Sequence, residues 1–166
     1  MQIEIKLGDV LDQAVDGIVH PTNSFCQFAT GFSRELLVRA GDVVARELGE
    51  IAPVAVGAAV VTSAGALPAR HVVHVPTVDE PGQRVHAENV RRAARAALLA
   101  AHRRSLATLA IPGLSTEKTG VATDAMTRAI IEELGAHRHA CPQAVLLVDL
   151  DPVVVENFRL SLAGHS

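Results

Sequence analysis

Residues 8–41 read GDVLDQAVDGIVHPTNSFCQFATGFSRELLVRAG, and the order of residue types in this stretch decides the fold. Gly8-Asp9 is a turn. Residues 15–19 end in the apolar run Gly17-Ile18-Val19, which reads as a strand buried on both faces. His20-Pro21-Thr22-Asn23 follows as a polar knot, then a loop over 24–32, and a helix opens near Ser33. Leu36, Leu37, Ala40, Val43, Val44 and Leu48 carry the spacing of one helical face. Gly41 sits inside that helix and weakens it a little. A strand that ends in polar groups and feeds a helix puts those groups in the crevice at the carboxyl end of a sheet. That crevice is where α/β proteins bind ligands. The amides that open such a helix lack internal partners and favour an anion, typically phosphate.

Upstream, residues 2–7 alternate apolar and polar side chains, which predicts an edge strand rather than a signal peptide. Downstream, 58–63 and 71–75 read as two strands, with Gly65 and Pro68 marking the turn between them. From Glu88, the residues Val90, Ala93, Ala94, Ala97, Leu98 and Ala101 form a narrow stripe suited to close helix-on-sheet packing. Residues 106–111 are a strand, 112–120 a loop, and 123–134 a helix with Gly135 as its stop. The last strand is 144–150. Asp151 is a good N-cap with Pro152 at the first helical position, and Val154, Val155, Phe158 and Leu162 face inward. Strand–helix alternation, with a strand pair between the first two helices, predicts an α/β three-layer sandwich. Its central sheet is mixed and mostly parallel, in one domain over 1–166.

Hydrophobic residues make up 49% of the 166, enough for one sizeable core, and at 2% aromatic content that core is aliphatic. A net charge of −3 gives no pull toward nucleic acid. Arg91, Arg92, Arg95, Arg103 and Arg104 lack interleaved aromatics and read as a solvated helix surface. Two cysteines, Cys26 and Cys141, make no disulfide framework, so a reducing cytoplasm is the simplest setting. No apolar run approaches the ~20 residues needed to cross a bilayer.

Two loops offer hydroxyls, amides and a glycine before a helix: 28–33 and 115–120. As a pair they could grip a diphosphate; singly they are ordinary turns. Phe25, Phe28 and Phe32 fall in the first loop, either as a small apolar cluster or as a wall that stacks on a base. His71 and His74 lie three apart on a strand and point to opposite faces, so they share no metal. His137-x-His139-x-Cys141 lacks a second ligand pair, and no metal is expected there. Cys26 reads as a small hydrophobe.

At these residues the chain resembles the macrodomains, the family that binds ADP-ribose and its derivatives. Gly8-Asp9-Val10 is similar to the family's GD(I/V) turn. Residues 16–23 are similar to its D-A-I-V-N-A-A-N strand. Residues 64–74 resemble its G-x-L-P-x-x-x-V-I-H region, and 112–120 resemble its second phosphate loop, P-x-I-S-T-G-x-x-G. The match covers nearly the whole chain through the order and spacing of these motifs.

The resemblance implies ADP-ribose as ligand, with no cofactor required. Asp9 would accept from the adenine amino group and the Val10 amide would face the ring. Asn23 would meet the distal ribose. Gly31, Phe32 and Ser33 would supply first-loop amides to the diphosphate. Ser115, Thr116, Glu117, Lys118, Thr119 and Gly120 would close over its other side. Leu150 stands where the family carries an aromatic near the adenine. Partners would be free ADP-ribose or an ADP-ribosylated protein.

Departures from the family pattern leave three readings open. His20 replaces the family's first Asn, Glu117 the first glycine of the second loop, and Ser33 the aspartate of the hydrolytic branch. The chain is a binding module, or a hydrolase acting at the distal ribose with Asn23 placing water and His20 as base, or a macrodomain fold rebuilt for another ligand. A hydrolase would release ADP-ribose from a modified protein or from O-acetyl-ADP-ribose. Phe28 and Glu117 are the two side chains that would narrow the diphosphate position.

Overall fold

The computed structural model describes residues 1–28 and 30–165, without the side chain of Glu117. Among these residues one sheet is built from β1 (Gln2–Leu7), β2 (Gly17–Asn23), β3 (Val60–Ser63), β4 (His71–Val78), β5 (Thr108–Ile111) and β6 (Ala144–Asp149). Their order is β1-β6-β5-β2-β4-β3. The first five in that order run parallel, and β3 joins β4 antiparallel. The helices are α1 (Gly31–Ala40), α2 (Asp42–Ile51), α3 (Ala87–Arg103), α4 (Thr123–Ala136) and α5 (Pro152–Gly164).

Alternation along the strands assigns the two faces. Val19, Val73, Leu109, Val145 and Leu147 join Val90, Ala94 and Ala97 of α3, Met126 and Ile130 of α4, and Phe158 of α5 in one aliphatic core. Ile18, Val72, Ala110 and Val148 turn the other way, onto Leu36 and Ala40 of α1 and Val44 of α2. This is the α/β/α sandwich that the sequence pattern calls for, with a mixed and mostly parallel sheet. Ala93, Ala94, Ala96, Ala97, Ala100 and Ala101 of α3 are between 0% and 8% exposed, so the helix lies close on the sheet. The arginines of α3 are not simply solvated. Arg95 donates twice to the buried Glu133 of α4, at 2.8 and 3.0 Å, and Arg91 pairs with Glu132.

Boundaries differ from the sequence reading: β3 and β5 each start two residues later, at Val60 and Thr108, β4 runs three residues further, to Val78, and four other differences have a local cause. β2 runs on through the polar knot to Asn23, because its backbone stays paired to β4 at His20, Pro21 and Thr22. The β5 pairing covers only Gly17 and Ile18, so Pro21 lies on a local edge that tolerates its missing N–H. Gly41 does not merely weaken a helix. Its φ of +92° ends α1 and starts α2 in a new direction. Gly135 stays helical, and α4 stops one residue later at Ala136. The last strand ends at Asp149, one residue short, because Asp151 caps α5 by accepting from the Val153 N–H at 2.9 Å.

Candidate functional site

Five parallel strands release their chains on the same side of the sheet. Gly8-Asp9 follows β1, Asn23 ends β2, Val78 ends β4, Pro112-Gly113 follows β5 and Asp149-Leu150 ends β6. All of these line one cavity of about 710 Å³, together with the first turn of α1 and the loop before α4. The volume falls in the range of roughly 300–1,000 Å³ typical of small-molecule pockets.

Asp9, Val10, Asn23, Phe32, Ser33, Ser115, Thr116, Lys118, Thr119 and Leu150 all border this cavity. Among the described residues three predicted at the site, His20, Gly31 and Gly120, are not part of its lining. Glu117 lies outside the described side chains. Gly31 is the first residue of α1, set behind Thr30 and Phe32. Gly120 is a turn residue with φ +123°, and a Cβ there would meet the Val85 carbonyl oxygen at 2.8 Å. It lets the second loop press against the β4–α3 connection, where the Val85 N–H donates to the Thr119 carbonyl at 2.7 Å. His20 is fully buried one layer below the cavity.

Local hydrogen bonds decide what each group has left to offer. The Asp9 carboxylate accepts from the Leu11 N–H at 2.9 Å and from Arg39 at 3.1 Å. Asn23 Oδ1 accepts from the Phe25 N–H at 3.1 Å, which fixes the amide orientation and leaves the NH₂ as its remaining donor. The Ser33 N–H is already given to Thr30 Oγ1 at 3.1 Å, so it is not a free first-loop donor. The amides of Gly31 and Phe32 open the helix and have no intrahelical partner. In the second loop Thr119 Oγ1 accepts from the Thr116 N–H at 2.8 Å, and the Thr119 N–H returns to the Thr116 carbonyl at 2.9 Å. That loop is a closed, self-bonded turn.

Phe28 does not narrow the cavity. It stacks on His20 with ring centroids 5.9 Å apart and belongs to the apolar clusters beneath. Phe32 borders the cavity and also flanks His20 at 5.7 Å. Phe25 is 53% exposed and takes no part. Phe28 and Phe32 thus serve both as packing cluster and, through Phe32, as cavity wall.

Asp149 and Arg84, which the sequence reading passed over, also border the cavity, as does Thr22 of the polar knot. Asp149 accepts from the N–H groups of Gly113 and Asp151, both at 2.9 Å, and so ties the end of β6 to the loop after β5. Thr22 Oγ1 is buried with no partner among the described residues. Arg84 brings a cation from the β4–α3 connection to the same cavity as Lys118. Arg84 carries no sequence signal, since it sits in an irregular loop about 60 residues from Asn23.

Below the cavity floor lies a chain of four side chains from four elements. Ser33 Oγ is 2.7 Å from His20 Nε2, His20 Nδ1 is 2.9 Å from His74 Nδ1, and His74 Nε2 is 2.8 Å from Thr62 Oγ1. Burial drives His20 down to about 3, and burial together with its His20 neighbour drives His74 well below the usual histidine range. Both rings are therefore neutral, and His20 is no freely titrating base near neutrality.

The Macro domain pattern matches residues 19–130. The chain belongs to the Macro domain family. A protein of Aquifex aeolicus is 37% identical over 156 residues, covering 94% of each chain. Among solved structures, the Trypanosoma brucei macrodomain in complex with ADP superposes with a TM-score of 0.86 at 22% identity, over 97% of this macrodomain and 69% of that chain. The same protein in complex with ADP-ribose gives 0.83 at 22%, over 96% and 68%. At that identity the likeness establishes the fold, and this macrodomain has the same layered architecture. Among its described residues no group of His, Cys, Asp or Glu is placed to hold a metal ion, and no helix is long and apolar enough to cross a membrane.

Proposed function

We propose that the cavity binds ADP-ribose or a close derivative. The observation that carries this reading is the convergence of Asp9, Asn23, the α1 N-terminus and the 115–119 turn on one cavity at the carboxyl ends of five parallel strands. The macrodomain of Trypanosoma brucei, solved with ADP and with ADP-ribose, supports the same ligand class.

In this reading the adenine lies between Val10 and Leu150, near the free edge of the Asp9 carboxylate. Arg39 and the Leu11 N–H hold that carboxylate in place. The diphosphate sits between the Phe32 amide and the second loop, with Arg84 and Lys118 supplying positive charge. A helix N-terminus favours that anion. The Asn23 NH₂ reaches the distal ribose, and the ligand is either free or carried on a protein in the cytoplasm.

Isothermal calorimetry tests it. ADP-ribose should bind one per chain, more tightly than AMP, and Arg84→Ala with Lys118→Ala should weaken it several-fold, more at low salt than at high. Absence of heat and of competition at millimolar ADP-ribose would point to a cavity rebuilt for another ligand.

A further inference from the structure

The sheet has two edge strands, and the fold treats them differently. β3 is four residues long, and its last residue is already held: Glu47 of α2 accepts from the Ser63 N–H at 2.7 Å and from the Ser63 hydroxyl at 2.9 Å. β1 is six residues long and pairs with β6 alone, without a break in register. The Gln2 N–H goes to the Gln143 carbonyl at 2.8 Å and the Gly8 N–H to the Asp149 carbonyl at 2.9 Å. The even residues of β1 therefore turn their main chain toward β6, and Ile3, Ile5 and Leu7 turn both N–H and C=O outward. Among the described residues no side chain is hydrogen-bonded to those outward groups. A long edge with neither proline nor bulge is a template for another strand.

We propose that this edge binds a second copy of the chain, with two β1 strands pairing antiparallel about a two-fold axis at Ile5, so that two six-stranded sheets join into one. In that register Ile5 exchanges both main-chain bonds with Ile5 of the second copy, and Ile3 does so with Leu7. Glu4 then stands directly opposite Lys6 of the second copy, and Lys6 opposite its Glu4. These are the non-hydrogen-bonded positions, where side chains approach most closely. Both are exposed. Lys6 Nζ gives one bond to Gln13 Oε1 at 3.0 Å and keeps two donors for the carboxylate. On the opposite face Ile3 and Ile5 already pack against the α3–α5 core. There the pairing sets Leu7, 55% exposed, beside Ile3 of the second copy.

Charge selects both the register and the occupant. Moving the axis one residue back sets Glu4 against Glu4, and one residue forward sets Lys6 against Lys6, each a like-charge pair directly opposed. Only the axis at Ile5 brings unlike charges together, and it does so twice by symmetry. Charged side chains on an edge normally turn other strands away. Here their spacing turns away a strand of any other pattern and makes the edge complementary to itself. Two six-residue strands are a small contact, so the pair is reversible and follows concentration. The interface does not depend on what the cavity binds.

Sedimentation equilibrium of the full chain, from about 10 µM to about 1 mM, measures the mass directly. The expected result is a reversible passage from monomer to dimer. Glu4→Lys and Lys6→Glu should each weaken association about tenfold or more, because two symmetry-related pairs turn from attractive to repulsive. The double variant carrying both substitutions should restore it. Carbodiimide treatment of a mixture of isotope-labelled and unlabelled chain should join Glu4 of one copy to Lys6 of the other, mapped by mass spectrometry. Amide exchange at Ile3, Ile5 and Leu7 should slow as the concentration rises. A chain that stays monomeric throughout overturns the proposal and leaves the edge to a strand of another protein. A dimer indifferent to the single substitutions, or one that the double variant fails to restore, overturns it by placing the contact on another face.

Discussion

Acidification should unfold this protein through two histidines that its interior keeps neutral. His20 is wholly buried among Phe28, Phe32 and His74, and burial takes it from an ordinary value near 6.5 to about 3. His74 is held well below the usual range for the same reason, reinforced by His20. The unfolded chain therefore binds more protons than the folded one everywhere between those limits. Stability is full above pH 6.5 and is lost as the pH falls. Each imidazole that stays neutral when folded and titrates near 6.5 when unfolded costs about 2 kcal/mol between pH 7 and pH 5. The pair together costs about 4 kcal/mol, a large share of the roughly 5–15 kcal/mol that holds a domain together. Urea unfolding at half-unit steps from pH 7.5 to 5 measures it, with the midpoint falling steadily below pH 6.5. His20→Gln removes one of the two titrating groups, so its curve should show about half the acid loss, whatever its starting stability. A midpoint flat from pH 7 to 5, or a His20→Gln curve as steep as the parent's, would refute the assignment of both rings as buried and neutral.

Three further substitutions probe the rest of the site. Gly120→Ala should cost about 1–3 kcal/mol of stability, read from the urea midpoint, because its left-handed φ is strained for any side chain and the Val85 carbonyl oxygen would lie 2.8 Å from the new Cβ. Asp9→Ala should weaken ADP-ribose by about 1–3 kcal/mol, the scale of a lost charged hydrogen bond, and also lower the melting temperature, since the same carboxylate caps the 10–12 turn and holds Arg39. Calorimetry showing unchanged affinity would remove Asp9 from the adenine site. Arg95→Ala should destabilise more than Arg128→Ala, because Arg95 leaves the buried Glu133 without its charge partner while the Arg128–Asp124 pair is solvated.

The architecture was legible because its signals are local. Alternation in 2–7, the apolar run before His20, the small-residue stripe of α3 and the Asp151-Pro152 cap each follow from periodicity or capping, and each appears where the spacing puts it. The misplaced boundaries depended on partners. Nothing local reveals that β4 would carry β2's pairing through Pro21 to Asn23, or that Gly41 would adopt a left-handed turn rather than stay helical. The cavity was legible in outline, because a strand end followed by a helix start fixes which loops meet. Its chemistry was less so. Which amides remain free in the two loops is decided by the hydroxyls of Thr30 and Thr119, and either hydroxyl could equally have faced solvent.

The clearest gain over the sequence concerns two departures from the family pattern that look unrelated in one dimension. His20 in place of an Asn, and Ser33 in place of an acid, read as two separate losses thirteen residues apart. In space they are one hydrogen bond of 2.7 Å, extended by a third residue, His74, from the neighbouring strand in register with His20. Neither replacement makes sense alone. A carboxylate at position 33 against a buried neutral imidazole would be desolvated, and a histidine at position 20 opposite an aliphatic side chain would leave a buried nitrogen unpaired. Together they satisfy each other and need no charge. The two side chains are therefore best read as one buried unit, with Ser33 only 1% exposed at the cavity wall and its oxygen already bonded to Thr30 and His20.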